Sequence, residues 1–295
     1  MNIDIVYTWV DGNDPKFVEK KKKYLVDNNL ISDVEIRYQN INELYYSIKT
    51  VLKYLSWINK IYIVTDEQIP ILDEEIINSG KIIIIDHKTL IPEEYLPTFN
   101  SDVIESYLHN IPNLSEIFLY NNDDVFFLDY VYPEDLFYIS NNHINFIIRN
   151  IFKIDLIREK KSEYSKRIVY TYDILTKISN KKLVNNHHTK ILRKQTLKYV
   201  ENNYNEHLHK LRVNKFRNKD TIQYLFFVMN IDNIYNDNII IDNPKDVREL
   251  HFGSSDFNKD LLYKFNIYKK YKFCCLNSMN YTYKDIFEFY IKHFL

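Results

Sequence analysis

Residues Ile3 to Pro15 read IDIVYTWVDGNDP. The apolar run from Ile3 to Val10 is stopped by Asp11-Gly12-Asn13-Asp14-Pro15, a segment dense in turn formers. A run bounded in this way predicts a buried strand that ends in an acidic loop. Working outward, the same grammar repeats. Asn42 to Tyr54 predicts a helix with Leu44, Ile48, Val51 and Leu52 on one face. Lys60 to Thr65 and Lys81 to Asp86 predict a second and a third strand, and Asp102 to His109 a helix. Ile117 to Tyr120 predicts a fourth strand that runs into Asn121-Asn122-Asp123-Asp124. Strands separated by helix-length segments indicate βαβ units, hence an α/β fold with a mostly parallel sheet. In such sheets ligands gather beyond the carboxyl ends of the strands, the edge at which Asp11 and Asp123-Asp124 fall.

After about Phe146 the pattern turns mainly helical, over Glu163 to Ser179, Lys190 to Asn203, Lys219 to Met229 and Tyr283 to Phe294. Strand character returns briefly at Ile239 to Ile241. No internal repeat or low-complexity linker interrupts the chain. The expectation is one domain over residues 1–295, with an α/β core in 1–145 and a helical part in 146–295 packed across the active edge.

Composition narrows the function classes. With 39 Lys+Arg against 40 Asp+Glu, nothing global draws the chain to nucleic acid or an anionic membrane. The basic run Lys20 to Lys23 reads as a solvated helix face. Asp4 and Asp11 interrupt the first apolar run, so it does not read as a secretory leader. No segment approaches the ~20 apolar residues that cross a bilayer. Cys274 and Cys275, the two cysteines, are adjacent and poorly placed to bridge or to form a zinc site. A soluble protein of a reducing compartment, the cytoplasm, is expected. The 26 tyrosines are spread along the chain and read as compositional bias. Glycine occurs only at Gly12, Gly80 and Gly253, so no glycine-rich phosphate loop can be built. Phosphate, if handled, must be held by arginine, histidine or a metal.

Three places could carry that chemistry. Asp123 and Asp124 are adjacent carboxylates at a strand end, and they repel unless a cation or partner stabilises them. Such a pair can hold magnesium against a diphosphate, or it can cap the following turn. His187-His188 precedes the helix-like stretch Ile191 to Tyr199, and a histidine there can act as a base or hold a phosphate oxygen. Arg217, before another predicted helix, has the planar donor fork that suits phosphate. Taken singly, the histidine and the arginine read as surface residues.

Together these pieces resemble the Stealth proteins, the family of bacterial capsule polymerases and eukaryotic N-acetylglucosamine-1-phosphotransferase. Ile3 to Pro15 resembles the first of four ordered blocks. Arg37 to Phe137 resembles the second, through NELYYSIKTVLKYLSWINKIYIVTDEQIP and LPTFNSDVIESYLHNIPNLSEIFLYNNDDVFF. His187 to about Phe227 resembles the third, and Phe273 to Asn277, FCCLN, the fourth. The chain departs from the pattern at Gln39-Asn40-Ile41, at His188-Thr189-Lys190 and at Ser278.

The resemblance implies a Rossmann-like nucleotide-sugar fold. It implies transfer of a sugar-1-phosphate from a UDP-sugar to a glycan hydroxyl, with UMP leaving and Mg²⁺ or Mn²⁺ as cofactor. By matched position, Asp123 and Asp124 fall on the catalytic, metal-holding acidic pair, His187 on the catalytic histidine and Arg217 on the phosphate-contacting arginine. Trp9, Asp11, Gly12, Arg37, Glu43, Asn100 and Ser101 fall on the donor side. An ordinary glycosyltransferase releasing UDP, and a homologue that only binds glycan or nucleotide, are the competing readings.

Overall fold

The computed structural model describes residues 2–27, 38–251, 271–277, 284–292 and 295. Its centre is a five-stranded sheet, into which β1 (Asp4–Thr8), β2 (Ile61–Thr65), β3 (Ile82–Asp86) and β4 (Ile117–Asn122) enter parallel. Every residue of β2 is buried, as are four of the five in β1, because central parallel strands are covered on both faces. Strand β3 lies at the edge and stays partly exposed.

Between these strands run α1 (Pro15–Asp27), α2 (Glu43–Tyr54), α3 (Glu74–Asn78), α4 (His87–Leu90) and α5 (Ser101–Glu105). The apolar stripe foreseen on α2 is buried, except that Leu52 is only partly covered. The segment Asp102 to His109 is shorter as a helix than its pattern suggests. It is α-helical only through Glu105, then a 3-10 turn over Leu108–Asn110.

Past Asp124 the chain forms β5 (Val125–Phe127), the hairpin β6 (Phe137–Ser140) and β7 (His143–Asn150), then α6 (Ile154–Arg158) and α7 (Glu163–Ile178). Next come β8 (Lys190–Arg193), α8 (Lys194–Asn203), α9 (Asn205–Arg212) and α10 (Tyr224–Tyr235). They are followed by β9 (Ile239–Asp242), β10 (Val247–His251), β11 (Phe273–Asn277) and α11 (Lys284–Lys292).

The strand order of the main sheet is β3-β2-β1-β4-β8, with β8 antiparallel to β4. Two three-stranded sheets, β10-β11-β5 and β6-β7-β9, flank it. The C-terminal half is therefore less purely helical than expected, since it sends a strand into each sheet. Lys190 to Asn203 is a strand followed by a helix: the alternating Lys190-Ile191-Leu192-Arg193 pairs with β4 before α8 begins. Four residues are too few for a period of 2 to be separated from a period of 3.6. The helix expected over Lys219 to Met229 is shifted to α10, whose first ten residues are all buried. Apolar through its first two turns, α10 packs against α5, α7 and α8.

Order reverses at β1, which has β2 on one side and β4 on the other. The crevice at this switch point opens beyond Thr8 and Asn122.

Candidate active site

A cleft of about 1290 Å³ occupies that crevice. Its floor includes Thr8 and Trp9 from the end of β1 and Asn122, Asp123 and Asp124 from the end of β4. The Asp123-Asp124 turn is tied at both sides. Ser47 Oγ on α2 donates to the Val125 carbonyl at 2.5 Å, and Phe127 N donates to Thr50 Oγ1 at 3.1 Å. On the other side Leu276 N donates to the Asp124 carbonyl at 2.9 Å. The FCCLN segment, which is β11, thus braces the acidic turn and brings Cys275 to the cleft.

Glu43, the first residue of α2, joins the two aspartates. It is buried, and its Oε2 accepts from Ile41 N at 2.6 Å. Asp123 and Asp124 keep some exposure, but so deep in the cleft that removal from water dominates their titration. Burial pushes Asp123 up to about 6; burial and then Asp123 push Asp124 up to about 7. Burial, then Asp123, pushes Glu43 up to about 8. Asp124 Oδ1 is buried with no hydrogen-bond partner among the described residues.

Asp4 makes the contrast clear. At the opposite end of β1, it accepts from Asn59 Nδ2, Lys60 N and Ser115 N at 2.7–3.0 Å, a fully used structural carboxylate. Three crowded carboxylates with one oxygen unused suit a cation instead. Among the described residues no group of three or more His, Cys, Asp or Glu is arranged to hold a metal alone. A magnesium ion, which keeps waters and takes phosphate oxygens beside one or two carboxylates, fits that donor set.

The same cleft is lined by Arg217 from the loop before α10, by Ser101, Asp102 and Glu105 of α5, and by Arg167 of α7. Asn100 caps α5, its Oδ1 accepting from Asp102 N at 3.2 Å. Its amide also donates to the Asn214 and Phe216 carbonyls at 3.2 and 3.4 Å, which holds the loop bearing Arg217. Arg217 Nη2 donates to Ser101 Oγ at 2.7 Å, and its Nε lies 3.8 Å from Asp102 Oδ2. Arg167 meets Asp102 Oδ1 at 2.5 Å.

Glu105, one turn along, is buried; its Oε1 accepts from the Tyr120 hydroxyl at 2.9 Å. Burial and then Asp102 push it up to about 7. Lys190 from β8 also lines the cleft.

The residues foreseen from sequence divide clearly. Asp123, Asp124, His187, Arg217, Trp9, Glu43 and Ser101 all line one cleft. His187 is in the loop before β8, with Tyr164 OH 3.3 Å from its Nε2, and not at a helix start as the pattern suggested. Arg217 likewise lies in a loop well ahead of α10. His188 points away from the cleft into the core, where burial drives it down to about 3.

Asn100 is buried behind the cleft wall. Asp11 is outside the lining, its Oδ1 accepting from Asn13 N at 2.9 Å. Gly12 is also outside it, donating its N–H to the Tyr38 carbonyl at 2.7 Å; a Cβ there would sit 2.0 Å from that oxygen. Glycine is needed for this close approach. Arg37 and Ser278 lie outside the described residues. Asp102, Glu105 and Arg167 were missed; the only trace in sequence is two acids three apart on a short, otherwise apolar helix.

Comparison with known proteins identifies the family. The family description "Stealth protein CR1, conserved region 1" matches residues 1–26, and "Stealth protein CR2, conserved region 2" matches residues 37–146. The capsular polysaccharide phosphotransferase cps1A of Actinobacillus pleuropneumoniae is 38% identical over 242 residues, covering 77% of this chain and 64% of that protein. Its counterpart cps12A from the same species is 44% identical over 184 residues, covering 58% and 48%. LcbA of Neisseria meningitidis is 47% identical over 141 residues, covering 47% and 38%. The chain therefore spans less than two thirds of the length of these relatives. Among solved structures, the galactosyltransferase LgtC with donor and acceptor sugar analogs aligns over 93% of this chain and 87% of its own. Its TM-score is 0.45 at 11% identity, too low to carry an argument.

Proposed function

Because the chain carries conserved regions 1 and 2 in order and belongs to the Stealth family, we propose that it transfers a sugar-1-phosphate from a UDP-sugar to a glycan hydroxyl in polysaccharide synthesis, releasing UMP. The observation that supports this most is the cleft itself. It is lined by Asp123, Asp124, Glu43, His187 and Arg217 together.

The acceptor oxygen attacks the phosphorus next to the sugar. The new O–P bond forms as the bond to the UMP oxygen breaks, and UMP leaves with that electron pair. Such a transfer needs positioning and charge neutralisation more than covalent help. Arg217, held by Ser101, presents a guanidinium to the phosphoryl oxygens. The hydroxyl proton goes to His187 or to an acidic-turn carboxylate. A carboxylate raised to about 6 or 7 is a competent acceptor near neutrality. Magnesium or manganese, held by Asp123 and Asp124, would supply further neutralisation of the diphosphate charge.

The test is to incubate the protein with a panel of UDP-sugars and glycan acceptors and to separate the nucleotides. UMP with a phosphodiester-linked sugar is the expected outcome. UDP without UMP would replace this reading with a glycosyltransferase that attacks the sugar carbon.

A further inference from the structure

We propose that Arg167 is a positioning residue for this transfer, one that takes up the charge of Asp102 so that Asp102 can orient Arg217 without cancelling the charge Arg217 presents to phosphate. The inference rests on the reaction just described and adds a residue that lies outside both matched conserved regions, 1–26 and 37–146.

The geometry is that of a carboxylate between two guanidiniums. Arg167 Nη2 is 2.5 Å from Asp102 Oδ1, whereas Arg217 Nε stands 3.8 Å from Oδ2. Exposure follows the same asymmetry. The Arg167 side chain is 1% exposed and Asp102 2%, while Arg217 is 33% exposed. Both line the cleft, but Arg167 is shut off from solvent and Arg217 is open to it. Further acceptors fix both: Arg167 Nη2 donates to the Ile222 carbonyl at 2.9 Å, and Arg217 Nη2 donates to Ser101 Oγ at 2.7 Å. Tyr224 N donates to Asp102 Oδ1 at 2.9 Å, which locks the carboxylate in place.

Charge counting gives the arrangement its sense. With Asp102 paired to Arg217 alone, the pair would be neutral and the anion-binding guanidinium would be drawn onto its carboxylate. Adding Arg167 leaves the three groups with a net positive charge, and Arg217 is the member open to solvent in the cleft. Burial would raise the pKa of Asp102, but Arg167 and then Arg217 outweigh it and hold the carboxyl below its ordinary value, so it stays ionised. Glu105 does not undo the balance. Burial and Asp102 hold it near 7, so much of it is uncharged around neutrality. For stability alone the arrangement is poorly chosen, since a buried ion pair is often matched or bettered by apolar residues of similar volume.

Two variants decide the matter, Arg167→Met and the double variant Arg167→Met with Asp102→Asn. Asparagine keeps an oxygen for Tyr224 N and removes the charge. Melting temperature and kcat/KM for UMP release are measured on both, and the affinity for UDP-N-acetylglucosamine by calorimetry. The single variant is expected to lose at least tenfold in kcat/KM. The double variant is expected to recover the melting temperature while kcat/KM stays at least tenfold down, because Arg217 has lost its orienting carboxylate.

Recovery of kcat/KM together with melting would overturn the proposal and make Arg167 a structural residue. Should the single variant fail to fold, the double variant decides by the same criterion. If the wild-type protein releases no UMP, the reaction reading falls, and nucleotide-sugar affinity judges Arg167 instead. A tenfold weaker affinity in the double variant supports the positioning role, and wild-type affinity overturns it.

Discussion

Replacing Asp124 by asparagine removes one of three carboxylates that the fold forces together on the cleft floor. Burial and Asp123 raise Asp124 from 3.8 to about 7. A rise of about three pH units at about 1.4 kcal/mol each sets a ceiling of about 4 kcal/mol on what its ionisation costs the fold. The side chain keeps some exposure and shares its titration with Asp123 and Glu43, so about 1–2 kcal/mol is the better expectation. The sign is fixed by linkage. A carboxyl whose folded pKa is raised costs nothing below its unfolded value, and stability is lost as pH rises through the folded value. Asp124→Asn should therefore leave melting unchanged near pH 4. At pH 8 it should raise the melting temperature by roughly 2–8 °C, at ~2–4 °C per kcal/mol. Scanning calorimetry in EDTA at both pH values measures this. Adding Mg²⁺ should then stabilise the wild-type protein and have much less effect on the variant. A lower melting temperature at pH 8, or an equal gain at both pH values, would refute the crowded-carboxylate reasoning. An undiminished magnesium response in the variant would take the cation off Asp124.

Two further outcomes are expected. Arg217→Lys keeps the charge but loses the planar two-pronged donor, and a charge-assisted hydrogen bond is worth ~1.5–3 kcal/mol. Steady-state kinetics should show turnover reduced by roughly ten- to a hundredfold with little change in melting. His188, held neutral in the core with its pKa driven by burial to about 3, contributes stability that is present above its unfolded value of 6.5 and is lost as pH falls towards 3. His188→Leu should flatten that acid limb in circular-dichroism melts and leave the slope above pH 7 unchanged.

The α/β core was legible because its signals are local. An uninterrupted apolar run followed by turn residues is how a doubly covered parallel strand must read, and Ile3–Val10, Lys60–Thr65 and Lys81–Asp86 each contain the strand found there. The acidic turn was legible for the same reason, since adjacent Asp123 and Asp124 at a strand end are visible without knowing what faces them. Strands β5 to β7, β10 and β11 were not. Strand β5 is short and pairs with the distant β11, the hairpin of β6 and β7 has no clean alternation, and a buried pair such as Cys274-Cys275 carries no period that separates strand from helix.

The site was half legible for a different reason. Sequence can show that an arginine or a carboxylate exists, but its role depends on what neutralises it, and that partner is set by packing. Arg167, on the first turns of α7, reads as an ordinary cation on an amphipathic helix. Only when α10 fills the space beside α5 and α7 does the guanidinium become buried against Asp102. The same packing divides neighbours that sequence presents as a pair. His187 stays beside Tyr164 in the cleft, while His188 turns inward against Phe273, 5.2 Å between ring centres. Both lie in the bend that precedes β8, and it turns one ring to the cleft and the other into the core. Pairing of β8 with β4 anchors that loop beside the strand that leads into the acidic turn, which is how His187 comes to line the same cleft as Asp123 and Asp124.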